Sequence, residues 1–185
     1  GKAKGYCKMI KEKLNKAGYE VQLFLLNSAT MGVPQARERV FFICSRKDLN
    51  FPKLKLKFNL KPIPFSEISD NNDLKINLTE KYKQYWKESR QGRNVGKFKS
   101  KKKVKLNSPV PTIAASAASH FHPVFMRTLN KKEITLGGSF SQDYDFLDIK
   151  PVYLIGMSVP PVMMAQIANQ VYLQWFKPHA PNFTK

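Results

Sequence analysis

The sequence predicts an α/β fold, and three features of the 185-residue chain carry that expectation. Apolar residues recur at helical spacing near the start, two near-continuous apolar runs follow, and helical spacing returns at the end. Strands that are apolar on both faces and alternate with helices belong to sheets covered on both sides. At 42 % apolar residues the chain has the material for a core and lacks the composition of a disordered segment.

Ala3, Tyr6, Cys7, Ile10, Leu14 and Ala17 recur at helical spacing with lysines opposite, so these side chains are expected on the core face of a first helix. Gly18 supplies its stop. YEVQLFLL then reads as a strand, NSATMGVPQ as a loop and VFFIC as a second, buried strand. No initiating strand and no Gly-rich phosphate loop precede the helix, so a piece truncated on its N-terminal side is expected.

After Phe51 the chain turns Lys-rich and polar, with short alternating stretches broken by Pro and Asn. An inserted region of small strands and long loops is expected there. Its densest basic run, KFKSKKKVK at Lys97–Lys105, fits either a solvated loop or a phosphate-contacting surface, with Lys101, Lys102 and Lys103 as the candidate contacts. VPTIAASA reads as a small-residue strand or turn. In RTLNKKEITLGGSF, Asn130 is placed as a helix N-cap with Glu133 three residues on, the spacing of a capping box. YLIGMSVPPVMMAQIANQVYLQWF reads as a short strand, a Gly turn and a helix opened by Pro160 and Pro161, with Val162, Ile167, Val171 and Trp175 facing the core.

The net charge of +19, from 32 Lys and Arg against 13 Asp and Glu, exceeds what solubility needs and predicts a polyanionic partner, nucleic acid first. No apolar run is read as reaching the roughly 18 residues of a spanning helix, and no signal-peptide core opens the chain, so no membrane partner is expected. Cys7 and Cys44 are read as free thiols of a reducing, cytoplasmic protein. Two nearby histidines, His120 and His122, without cysteines at ligand spacing predict no metal.

One stretch calls for a chemical explanation. In GVPQARERVFFI, Gln35, Arg37 and Arg39 stand at every second position at the mouth of an apolar strand. Alternate strand residues share a side, so both guanidiniums would face one site, where a planar fork can grip a phosphate or a base carbonyl. The alternative is an Arg and Glu38 pair at a sheet edge.

Four stretches in order, GYEVQLFLLNSATMGVPQARERVFFI and, after a variable basic region, PVPTIAAS, RTLNKKEITLGGSFSQDYDF and IGMSVPPVMMAQIA, resemble the C-terminal part of bacterial DNA (cytosine-5) methyltransferases. The resemblance implies the end of a Rossmann-like catalytic domain at residues 1–52, a small, mainly β, basic target recognition domain at 53–147, and a final strand and helix at 148–185 returning to the catalytic domain. In that family the Gln-x-Arg-x-Arg segment lies beside a flipped cytosine, which would make Gln35, Arg37 and Arg39 supporting catalytic residues. Thr112 and Ile113 match the recognition domain's Thr-centred element, and Ser116, Ser119, His120 and His122 are candidate base or phosphate contacts beside it. Arg127, Glu133 and Phe140 match the segment that organises that domain, Arg127 bridging to Glu133 or to backbone; Asn130, Leu136 and Ser141 depart from its pattern. Gly156, Met157, Ser158 and Val159 match the segment that closes the S-adenosylmethionine pocket, with Met157 in place of the usual Asn.

The family's Pro-Cys nucleophile loop, its Glu-Asn-Val segment and its Gly-rich cofactor loop are not in this sequence. The resemblance therefore implies a chain inactive alone, which recognises a short site in double-stranded DNA and works with an N-terminal methyltransferase half or subunit, in the setting of restriction-modification. A non-catalytic basic nucleic-acid-binding module is the alternative.

Overall fold

The computed structural model describes residues 2–70, 72, 78–96, 98–115 and 120–179. The chain divides into two compact units, one made of residues 1–26, 38–57 and 166–185 and the other of 27–37 and 58–165.

In the first unit helix α1 (Lys2–Lys16) ends at Gly18, whose φ of +90° is open to glycine at no steric cost. Its carbonyl accepts from Lys47 N at 2.9 Å. Strands β1 (Tyr19–Asn27) and β3 (Glu38–Arg46) pair in a two-stranded sheet. Two side-chain amides then hold the chain at Leu54 and Lys55. Gln22 exchanges hydrogen bonds with both backbone groups of Leu54, and Gln174 does the same at Lys55. Trp175 closes the unit by stacking on Phe51 at 5.4 Å and donating its indole N–H to the carbonyl of Pro52. Trp175 belongs to a π-helical turn, Tyr172–Phe176, that continues helix α5 (Pro161–Val171).

Two expectations of burial fail here. Tyr6 and Ile10, placed on a core face of α1, are 61 % and 39 % exposed. The VFFIC strand is half-buried, with Val40 exposed, because only β1 pairs with it among the described residues. Apolar patterning reports what a face can bury, while burial needs a covering layer. Cys7 and Cys44 are free and half-buried, and burial pushes the Cys44 thiol up, the opposite of nucleophile activation.

In the second unit β2 (Gln35–Ala36) pairs in parallel with β6 (Val110–Pro111), and β4 (Asn94–Val95) pairs antiparallel with β5 (Phe98–Lys102). Helices α2 (Glu80–Glu88), α3 (Lys131–Gly137) and α4 (Pro151–Met157) complete it. The core gathers Phe65, Val104, Val110, Ile113, Leu129, Phe140 and Ile155. Described strands between residues 53 and 147 have two to five residues, so irregular backbone outweighs the strand expected there. Pro62, Pro64, Pro109 and Pro111 each withhold the N–H that a ladder would use.

The short strand expected at YLIG is helix α4. Pro151 sits at its first position, where a missing N–H costs nothing, and Gly156 lies within its last turn. The chain over Pro151–Phe176 is long and apolar enough by composition to meet the criterion for a membrane span, contrary to the sequence reading. Its backbone is nevertheless divided, because α4 ends at Met157 and α5 begins at Pro161.

Candidate nucleic-acid interface

The second unit carries a cleft of about 550 Å³ lined by Ala36, Lys102, Ser108, Pro109, Pro111, Thr112, Ala114 and His120. Its walls are the β2–β6 pair and the outer face of β5. Thr112 is exposed and donates its hydroxyl to Ala36 O at 2.8 Å, which holds the residue against β2. His120 forms the floor. Its Nδ1 accepts from Lys102 N at 3.1 Å, so the proton sits on Nε2, 3.2 Å from Thr112 O. Burial keeps this imidazole below its usual pKa, and both nitrogens are engaged. His120 is therefore a neutral brace between the two walls, with no ring nitrogen left to make the contact expected of it.

The lysine run splits by strand alternation. Lys102 points to the cleft, while Lys101 and Lys103 turn inward and are only 8 % exposed. Lys101 Nζ donates to the Tyr82 hydroxyl at 2.9 Å, and Lys103 Nζ donates to Trp86 O at 3.2 Å. Of the three lysines expected to contact phosphate, Lys101 and Lys103 are buried against α2, and only Lys102 lines the cleft. Ser108, Pro109 and Pro111 line the same cleft and were not singled out in the sequence, where nothing but their nearness to Thr112 marks them.

Gln35 and Arg37 do not present their polar ends to a site. The expected shared face required one unbroken strand, whereas β2 ends at Ala36 and β3 begins at Glu38. Gln35 donates to Gly137 O at 3.1 Å and accepts from Ile113 N at 3.0 Å. Arg37, 2 % exposed, donates to Ile113 O and Gly156 O, both at 2.8 Å. These two side chains tie three distant segments together through backbone groups. Arg39 lies in the first unit, half-buried on β3, and donates to Glu38 O at 2.7 Å. Arg37→Lys is expected to lower stability by about 1–3 kcal/mol, because one ammonium cannot serve two diverging buried carbonyls. A urea titration of the full chain measures it.

Ile113 is 2 % exposed and belongs to the core, so it is not a nucleic-acid contact. Ser116 and Ser119 lie outside the described residues. Phe140 is also in the core, edge-on to Tyr144.

The Arg127–Glu133 bridge is present, with bidentate contacts of 2.8 and 3.0 Å and both side chains at 1 % exposure or less. Glu133 also closes the capping box with Asn130 and accepts from Asp70 N. His122 packs beside this pair, with Nδ1 accepting from Val124 N and Phe125 N and Nε2 facing Ser69 Oγ. Burial lowers its pKa from 6.5 to about 4, with Glu133 pulling the other way and Arg127 lowering it further. The unfolded chain binds that proton first as pH falls, so the second unit should lose stability between about 6.5 and about 4. His120, also lowered, acts in the same direction, while the stabilisation from Asp70, held low by Asn72, is fully present through this window and is lost only below the ordinary carboxylate range. Urea midpoints across this window should fall with pH, and more shallowly in His122→Gln.

Around Gly156 no room is left for a ligand on the α-carbon side, since a Cβ there would stand 2.2 Å from Ala115 N. Met157 is 67 % exposed and Ser158 Oγ donates to Ile155 O at 2.9 Å. These residues with Val159 do not enclose a small molecule by themselves. No group of three or more metal-ligating side chains occurs among the described residues.

The site is a cleft of small side chains with Lys102 in its lining, on a chain of +19 net charge. The chain belongs to the C-5 cytosine-specific DNA methylase family, whose model matches residues 2–173. Over 248 aligned positions it is 24 % identical to the type II methyltransferase M.DdeI of Desulfomicrobium norvegicum, covering 95 % of this chain and 59 % of that protein. A shorter match, 40 % identical over 50 residues, links it to M.HhaI of Haemophilus parahaemolyticus, covering 24 % of this chain and 15 % of that one. The fold is similar to that of Spodoptera frugiperda DNMT2, with a TM-score of 0.63 at 16 % identity, covering 90 % of this chain and 62 % of that chain. An E. coli prophage-encoded structure described as a DNA modification methyltransferase gives a TM-score of 0.71 at 16 % identity, covering 92 % of this chain and 65 % of that chain. The chain therefore spans about three-fifths of the relatives that it matches along most of its own length. The family implies S-adenosylmethionine as methyl donor and DNA as substrate.

Proposed function

We propose that this chain supplies DNA recognition to a type II DNA (cytosine-5) methyltransferase, whose complete form methylates carbon 5 of cytosine in a short double-stranded site. The observation that carries this reading is the cleft: Lys102 and Thr112 at its mouth, on a chain of +19 net charge within the family's match. Small and ring-closed residues at Ala36, Pro109, Pro111 and Ala114 keep side chains out of the way of an approaching DNA backbone. Residues 53–147 are assigned as the target recognition domain. The methyl-transfer chemistry is assigned to an N-terminal half or subunit carrying the cysteine nucleophile, because Cys44 is held as a neutral thiol and Cys7 lies on a helix.

Gly156 to Val159 would contribute at most one edge of the cofactor site, since they do not enclose a ligand. Arg39 remains the candidate for a role at the flipped base. Gln35 and Arg37 are assigned a structural role, tying Ile113, Gly137 and Gly156 together within the second unit. The rival reading, a binding module without methyltransferase work, draws support from the commitment of Gln35 and Arg37 to backbone carbonyls.

Selection from a randomised duplex library separates the two. Enrichment of one short motif by the full chain, weakened by Thr112→Val, is expected, followed by transfer of labelled methyl to that motif when the chain is combined with a family N-terminal portion. Binding that enriches no motif would favour the rival.

A further inference from the structure

Helix α2 and strand β5 meet through two pairs of unlike side chains. Tyr82 and Trp86 stand four residues apart on α2, and so share a face. Lys101 Nζ lies 4.6 Å from the centre of the Tyr82 ring, and Lys103 Nζ lies 3.4 Å from that of Trp86. Each lysine also donates a hydrogen bond to the residue whose ring it covers. An aromatic face attracts a desolvated ammonium, which makes this contact tolerable for two nearly buried cations. Burial accordingly lowers the Lys103 pKa.

The same helix reaches the backbone that carries Lys102. Trp86 Nε1 donates to His122 O at 2.8 Å, and Tyr82 meets Phe121 edge-on at 6.0 Å. Phe121 N donates to Lys102 O at 2.9 Å, while Lys102 N donates to His120. The backbone of Lys102 is thus held on both sides, with its neighbours' side chains drawn to α2 and its own left to the cleft.

We infer that Tyr82 and Trp86 are positioning residues for DNA binding: by holding Lys101 and Lys103 inward they fix the facing of β5, so that Lys102 alone offers its ammonium to a backbone phosphate in the cleft. The inference rests on the reading of the cleft as a DNA groove, and it makes two thirds of the lysine triplet a mounting for the remaining third. Nothing in the sequence pattern of the run distinguishes the three lysines. The aromatic pair on α2 does.

The test is the salt dependence of binding between the full chain and a labelled duplex, measured by fluorescence anisotropy. Each phosphate contact contributes a slope of about 0.9 in log K against log salt, or about a threefold weakening from about 50 to 200 mM. Lys102→Gln should remove one such contact. Trp86→Ala should remove the same amount, Trp86→Phe should restore most of it by keeping a ring face, and Trp86→Ala added to Lys102→Gln should change the slope no further. Lys103→Met, which removes the ammonium that Trp86 holds, should lose no more slope than Trp86→Ala and, added to Lys102→Gln, should change it no further.

An additive loss when Lys102→Gln is combined with either Trp86→Ala or Lys103→Met would overturn the inference. If Lys102→Gln leaves the slope unchanged, the reading of the cleft itself fails. Should Trp86→Ala lose its circular dichroism signature, Trp86→Phe and Lys103→Met decide the question.

Discussion

Glu133→Ala is expected to destabilise the second unit by about 3–5 kcal/mol, enough to unfold a marginal domain. Glu133 is fully buried and accepts four hydrogen bonds, from Arg127 Nη1, Arg127 Nη2, Asn130 N and Asp70 N. Alanine strands the Arg127 guanidinium at 1 % exposure without its counter-ion, breaks the capping box of α3 and leaves two backbone donors unpaired. The pair itself is a different matter, because replacing both charges removes two desolvation costs together. The double variant Arg127→Met with Glu133→Leu should therefore recover part of the loss. Urea midpoints for the two single variants and the double variant measure this. A double variant as unstable as the sum of the singles would mean that the ion pair is not the unit of stabilisation.

Gly156→Ala should cost about 3 kcal/mol or more, at or above the upper end for overpacking. The added Cβ would lie 2.2 Å from Ala115 N, 2.4 Å from Ala114 C and 2.5 Å from Ala115 Cα. All three are main-chain atoms, so no rotamer change relieves the clash. Either α4 or the 113–115 segment has to move, and both are tied to Arg37, through Gly156 O and Ile113 O. Gly138→Ala makes a useful contrast, since its closest obstacle is the Ile155 Cγ2 methyl at 2.6 Å, a side-chain and not a main-chain atom. The thermal midpoint should fall much further for the first substitution than for the second. Equal modest losses would show that the 113–115 segment yields readily.

What could be read before the fold was local chemistry. The α1 spacing, the Gly18 stop and the β1 strand follow from neighbours within one turn or one pleat, and all three are present. The Asn130–Glu133 box and the Arg127–Glu133 bridge were legible for the same reason, because the partners lie within six residues of one another. The family resemblance was carried by ordered short motifs and is matched by the family assignment.

The candidate site was less legible. Gln35 and Arg37 were read as site residues because alternation along a strand ignores what lies across from it. Their partners, Ile113, Gly137 and Gly156, stand 76 to 119 residues away, and no local pattern announces them. The YLIG segment misled because apolar residues serve a strand and a helix equally in a short run, and Pro151 decided for the helix.

By itself, then, the sequence determined the net charge, the helical and strand periods, the caps, and the motifs that place the chain in its family. Tertiary structure alone decided which polar groups are spent on the fold and which remain for a ligand. Three consecutive lysines have the same chemistry in the sequence. Folding sends two of them onto aromatic rings and one to the cleft, because a strand must present alternate residues to opposite faces and only one of those faces met α2.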